Sequence, residues 1–242
     1  MRQTKPYLIF LLFLLPAFAA CKAPAPESLA APVTLPPSSP ASRLVMPPVP
    51  ATRLPVVVFL GDSLTAGLGL EEAEAYPSLL GTRLAGQGHP IRVINAGVSG
   101  DTTAGGLRRL DWLLRQKPDV MVVGLGANDA LRGAALEEIE HNLREIVRRS
   151  RAAGARVLLL GMMIPPNYGP DYTTRFADLY RRIEKDMDVP LVPFLLEGVG
   201  GNPELNQADG IHPTAVGQQK VAENVYPYLR DVLVGTQSIG RK

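Results

Sequence analysis

The chain has 242 residues, 46% hydrophobic and 20% charged, enough for one soluble domain with a sizeable core plus appendages. Its formal charge of +2 disappears once Arg2 and Lys5, which lie in a leader-like segment, are set aside; 23 basic side chains then face 23 acidic ones. With no basic stripe interleaved with aromatics, the composition argues against a nucleic-acid partner.

The first element is the amino-terminal leader. It has a positive start, an apolar run from Tyr7 to Ala20 and small residues at its end, the layout of a secretory signal over residues 1–20. At 14 residues, interrupted by Pro16, the run is short for a membrane-spanning helix. It closes on "AFAAC", and Cys21 is the only cysteine. This segment resembles a bacterial lipoprotein signal, which implies lipidation of Cys21 and a membrane anchor. Phe18 stands where that pattern usually has leucine, and cleavage after Ala19 or Ala20 would instead give a soluble periplasmic or secreted protein. Lys22 occupies the place where an aspartate often retains lipoproteins in the inner membrane. The resemblance therefore implies the outer membrane of the cell envelope in a Gram-negative host.

Residues 22–55 contain ten prolines and no glycine. Such a segment cannot bury a core and favours extended polyproline II, reaching roughly 100 Å at about 3.1 Å per residue. It reads as a stalk between Cys21 and a folded domain over 56–235, or as a tail without a task. Residues 236–242 form a short carboxyl tail.

From Val56 onward, strand-like and helix-like patterns alternate. Apolar runs occur at "VVVFL" (56–60), "IRVIN" (91–95), "VMVVGL" (120–125), "RVLLL" (156–160) and, more weakly, "LVPF" (191–194), where Pro193 marks an edge or a strand end. Amphipathic segments lie at 76–85, 104–115, 136–152, 172–186 and 214–232, and Gly154 is placed to end the third of them. The alternation predicts an α/β fold, a three-layer α/β/α sandwich around a parallel sheet of about five strands. No internal repeat interrupts it.

Ligands bind beyond the carboxyl ends of strands in such sheets. The first three strands run into "GDS" (61–63), "NAGVSGDTTAGG" (95–106) and "GLGANDALRG" (124–133), and "DGIHPTAVG" (209–217) precedes the last helix. Ser63 is either reactive or a helix cap. Gly97 alone reads as a tight turn and Asn128 as a loop capper. Pro213 suits the first turn of the last helix, with His212 at its entrance and Asp209 three residues back. "GLGLEE" and "GLGAND" lack the last glycine of a dinucleotide loop, and no GxxxxGK[ST], HExxH or cysteine pair occurs. No cofactor or metal is expected.

The blocks "GDSL", "AGVSGDTTAGG", "GANDALRG" and "DGIHP", in this order, resemble the SGNH (GDSL) hydrolase family. They are most similar to its branch of bacterial thioesterase I, lysophospholipase L1 and arylesterases, over about residues 56–233. The resemblance implies a flavodoxin-like SGNH fold and a serine esterase that hydrolyses carboxylic esters, and thioesters, of small-molecule substrates of acyl-ester, lysophospholipid or acyl-CoA type through an acyl-enzyme. It casts Ser63 as nucleophile, His212 as base and Asp209 as its orienter. It also implies an oxyanion hole from the Ser63 amide, the Gly97 amide and the Asn128 side chain, and glycine leaves room for a close backbone approach. "MMIPPNYGPDY" (162–172) resembles an acyl-binding loop of that branch: Met163, Ile164, Pro165 and Tyr168 either line an acyl groove or pack a long loop. The α/β-hydrolase elbow GxSxG is excluded, because Thr65 follows Ser63 by two.

Asp62, Asp101 and Asp129 are expected to tie the rim loops by accepting backbone hydrogen bonds. Trp112 is expected in the core, and His89 and His141 in ordinary surface roles. A carbohydrate O-acetyl esterase with the same triad and a non-catalytic ligand-binding surface lipoprotein are the alternative functions.

Overall fold

The computed structural model describes residues 53–235 of the chain. The leader, Cys21, the proline-rich segment up to residue 52 and the tail 236–242 lie outside the described residues.

Five parallel strands, β1 (Val56–Gly61), β2 (Arg92–Gly97), β3 (Val120–Gly124), β4 (Arg156–Leu160) and β5 (Leu191–Val192), form one sheet in the order β2-β1-β3-β4-β5. All six residues of β1 and all five of β3 are buried, as their unbroken, valine-rich apolar runs imply. β2 is an edge strand and only partly buried. β5 stops before Pro193, which lacks the N–H to extend a ladder.

The helices are α1 (Ser63–Ala66), α2 (Tyr76–Gly86), α3 (Thr103–Leu114), α4 (Ala127–Leu131), α5 (Leu136–Ala152), α6 (Pro170–Met187) and α7 (Ala215–Val234). α3, α5 and α6 pack side by side on one flank, and α2 packs on α7 on the other. The five long helices match the predicted segments within about two residues at either end. α5 closes as expected at Gly154, with φ +88 and paired bonds from Gly154 N to Arg151 O (2.9 Å) and Ala155 N to Ser150 O (3.1 Å). Short α1 and α4 carry no amphipathic period and escape the sequence reading.

The core is filled by edge-to-face pairs, Phe59 on Tyr76 at 5.7 Å and Phe176 on Tyr180 at 5.5 Å between ring centroids. Each such buried aromatic contributes about 1.5–3 kcal/mol through its apolar area. The buried hydroxyls are satisfied, Tyr76 with Thr65 Oγ1 at 2.9 Å and Tyr180 donating to Leu125 O at 2.9 Å.

Trp112 corrects an expectation. It is 55% exposed. The inward stripe of α3 is Thr103, Gly106, Leu110 and Leu113, and at 100° per residue Trp112 falls off that stripe onto the outer face.

Candidate active site

The strand order reverses at β1, whose neighbours are β2 and β3. Clefts form at such switch points, beyond the carboxyl ends of the strands. Here β1 ends on Gly61 and α1 begins on Ser63, with Asp62 as cap, its Oδ1 accepting from Leu64 N at 3.0 Å. Buried Gln218 of α7 fixes this turn from below. It donates to Leu64 O at 3.1 Å and accepts from Tyr76 N at 2.9 Å. A Cβ on Gly61 would lie 2.0 Å from Thr65 Oγ1, so only glycine lets α1 fold back this tightly.

Ser63 Oγ lies 2.8 Å from His212 Nε2, and His212 Nδ1 lies 2.6 Å from Asp209 Oδ2. The structure thus brings together three residues that span 149 positions in the chain. Asp209 Oδ1 also accepts from the amides of Ile211 (2.9 Å) and His212 (3.0 Å). These backbone bonds, then the imidazole, hold the Asp209 carboxyl down at about 2. The turn is closed by Gly210 at φ +71.

His212 is placed differently from the expectation. α7 begins at Ala215 with Thr214 as its cap, so Pro213 precedes the helix instead of occupying its first turn. Pro213 bridges to Asn206, Gln207 N donates to His212 O at 2.7 Å, and the Gln207 side chain donates to Leu68 O and Pro213 O. This small antiparallel clasp positions the histidine.

Asn128 is the second residue of α4, and its Nδ2 donates to Asp62 Oδ2 at 3.3 Å. Asp62 is 1% exposed, and burial pushes its carboxyl up to about 6 against the opposing pull of the Leu64 amide and the charge of His212. Arg109 of α3 spans the neighbouring strand ends. It donates to Gly61 O (3.0 Å), Ala96 O (2.6 Å) and Asp101 Oδ2 (2.8 Å). The aspartates tie the rim as expected: Asp62 accepts from Leu64 N, Asp101 from Thr102 N, and Asp129 from Thr103 N and Oγ1.

Gly97 is the last residue of β2. Its N–H is engaged by Asn95 Oδ1 at 3.0 Å. Glycine is needed there for contact, since a Cβ would lie 2.2 Å from Ala66 N. Three residues on, Gly100 has φ +78, its carbonyl accepts from Arg132 at 3.0 Å, and its N–H has no protein acceptor among the described residues. The expected acyl loop also divides. Met163, Pro165 and Tyr168 are exposed, whereas Ile164 is buried in the core and cannot line an open groove. Tyr168 donates to Leu131 O at 3.0 Å, tying this loop to the end of α4.

Residues 59–220 match the sequence profile of the GDSL-like Lipase/Acylhydrolase family. "Esterase TesA" of Pseudomonas aeruginosa is 47% identical over 178 residues, covering 73% of this chain and 89% of that protein. "Thioesterase 1/protease 1/lysophospholipase L1" of Escherichia coli is 40% identical over 174 residues, covering 72% and 82% respectively. A crystal structure of TesA superposes with a TM-score of 0.71 at 47% identity, covering 73% of this chain and 99% of that one. Sheet order, strand-end blocks and these likenesses agree, and the chain belongs to the GDSL-like lipase/acylhydrolase family.

Proposed function

We propose that the chain is a serine esterase that cleaves carboxylic esters, and thioesters of the acyl-CoA type, through an acyl-enzyme on Ser63. The observation that carries this reading is the unbroken line Ser63–His212–Asp209 at 2.8 and 2.6 Å. His212 Nε2 accepts the Ser63 proton as Oγ bonds to the acyl carbon. Asp209, ionised at any pH near neutral, accepts from Nδ1 and balances the imidazolium. The imidazolium then gives its proton to the departing alkoxide or thiolate. Water repeats the sequence on the acyl-enzyme, releasing the acid and restoring Ser63.

Negative charge on the acyl oxygen is met by N–H donors. The Ser63 amide and the Asn128 side chain keep their expected parts, and Gly100 takes the place expected of Gly97, because its amide is free and that of Gly97 is not. The exposed side chains of Leu68, Val98, Met163 and Ile211 stand on the rim loops. They favour an apolar acyl group over a sugar. Turnover of a p-nitrophenyl ester series from acetate to palmitate, beside acyl-CoA, lysophospholipid and acetylated xylan, tests the substrate class. Selective turnover of acetylated xylan would overturn it.

The hydrolase domain is assigned to 56–235. Among the described residues, no helix is long and apolar enough to cross a membrane. Attachment is assigned to a lipid on Cys21, with 22–55 as tether. Each buried methylene contributes about 0.8 kcal/mol, so two or more acyl chains make attachment durable. Mass spectrometry of the mature amino terminus tests this, and an unmodified terminus would contradict it.

A further inference from the structure

The amino ends of the strands, opposite the Ser63 rim, carry a surface that hydrolysis does not use. α3 runs down to this pole, and its outer face aligns Arg108, Trp112 and Arg115 at spacings of four and three, one above the other on a helix. Lys117 follows, and Arg92 donates to the neighbouring Gln116 carbonyl at 3.5 Å, joining α3 to the start of β2. Between them an open groove is lined by Arg53, Leu54, Ile91, Arg92 and Lys117. Leu54 is 46% exposed and Trp112 55%.

The charge of this surface is local. Residues 53–235 hold 19 lysines and arginines against 22 acids, so the domain as a whole is slightly acidic. Within the patch the two acids are already paired, Asp111 with Arg149 and Asp119 with Arg53. Arg108, Arg115 and Lys117 make no side-chain hydrogen bond or ion pair among the described residues. Unpaired cations around an exposed indole suit a surface that is anionic outside and apolar beneath, where tryptophan is enriched.

We propose that this pole docks on an anionic lipid bilayer, with Trp112 at the interface and Arg92, Arg108, Arg115 and Lys117 facing lipid phosphates. The choice of a bilayer over another polyanion rests on the tether reading: 52 residues precede the described part, and the chain enters it at Arg53, inside the patch. Docking holds the tethered domain against the bilayer and turns the Ser63 rim away from the lipid.

Trp112 is the only tryptophan in the sequence and serves as its own reporter. The mature full-length protein is mixed with vesicles of phosphatidylcholine alone or enriched in phosphatidylglycerol, each carrying brominated acyl chains. Sedimentation with the neutral vesicles reads the anchor; Trp112 emission reads docking. The expected result is a blue shift and quenching on anionic vesicles only, reversed by high salt. The variant R108E/R115E/K117E loses the shift, with apparent affinity in the docked state falling about fivefold or more per charge. Its unchanged turnover of a soluble ester shows that it is folded. The same emission on both vesicles, an unaltered shift in the variant, or a shift with heparin but not with vesicles would overturn the proposal. Failure to sediment with neutral vesicles contradicts the anchor instead, while emission on anionic vesicles still decides docking.

Discussion

Asn128 donates its side-chain amide to Asp62 at 3.3 Å, so the residue capping α1 also orients the side chain proposed as an oxyanion donor. One carboxylate thus links two parts of the site. Its burial has a thermodynamic sign. A carboxyl raised from 3.8 to about 6 stabilises the fold fully below about pH 4 and loses that contribution as pH rises through 6. Asp62→Asn keeps a side-chain acceptor for Leu64 but puts an N–H against Asn128. Its stability relative to the parent should rise between pH 4 and 7, while kcat falls about tenfold or more as Asn128 turns away. Urea denaturation across that range, beside steady-state kinetics, checks both. A constant stability difference would contradict the shifted carboxyl.

Asn128→Ala removes the donor itself. The expected loss is about 10²–10³-fold in kcat with KM little changed, because the donor acts where charge develops. Steady-state kinetics on a folded variant reads this directly, and unchanged kcat would return Asn128 to a loop-capping role.

Arg109 gauges the spacing of the strand ends that precede Ser63 and the 97–100 turn. Arg109→Met leaves two carbonyls and Asp101 without their shared donor. Stability is expected to fall by about 1–3 kcal/mol, with a several-fold loss of kcat. Arg109→Lys should recover little, since an ammonium cannot span the fork of three acceptors. Full recovery by lysine would show that only the charge matters.

Gly97→Ala tests contact rather than chemistry. A Cβ 2.2 Å from Ala66 N meets backbone, which cannot swing aside as a side chain can. The variant is expected to lose a few kcal/mol of stability. Its melting temperature checks this; a stable, fully active Gly97→Ala protein would mean that the turn yields freely.

Much of this was legible in the chain. Unbroken runs such as Val56–Leu60 announce a strand buried on both faces, and the blocks "GDSL" after β1 and "DGIHP" before α7 hold the three side chains, Ser63, Asp209 and His212, that the structure brings into one hydrogen-bonded line. What stayed hidden depends on atoms distant in sequence or on phase. Trp112 sits in an apolar stretch, but one residue of rotation takes it from core to solvent. Ile164 and Met163 are equally apolar, and only the packing after β4 buries the first. Gly97 and Gly100 look alike as glycines of one turn, and the side chain of Asn95 distinguishes their amides. The signal present in the sequence was that asparagine, two residues before Gly97. Arg109 gave no signal, since two of its three acceptors are backbone carbonyls at the ends of β1 and β2.

Active-site labelling puts the proposed nucleophile, Ser63, to a direct test. A fluorophosphonate probe followed by peptide mass mapping should find a single adduct on Ser63, with none in Ser63→Ala. His212→Ala should slow labelling and ester turnover together, by about 10⁴-fold or more, because the three residues act as a unit. An adduct that persists in Ser63→Ala, or ester turnover that survives the substitution, would show that another residue is the nucleophile.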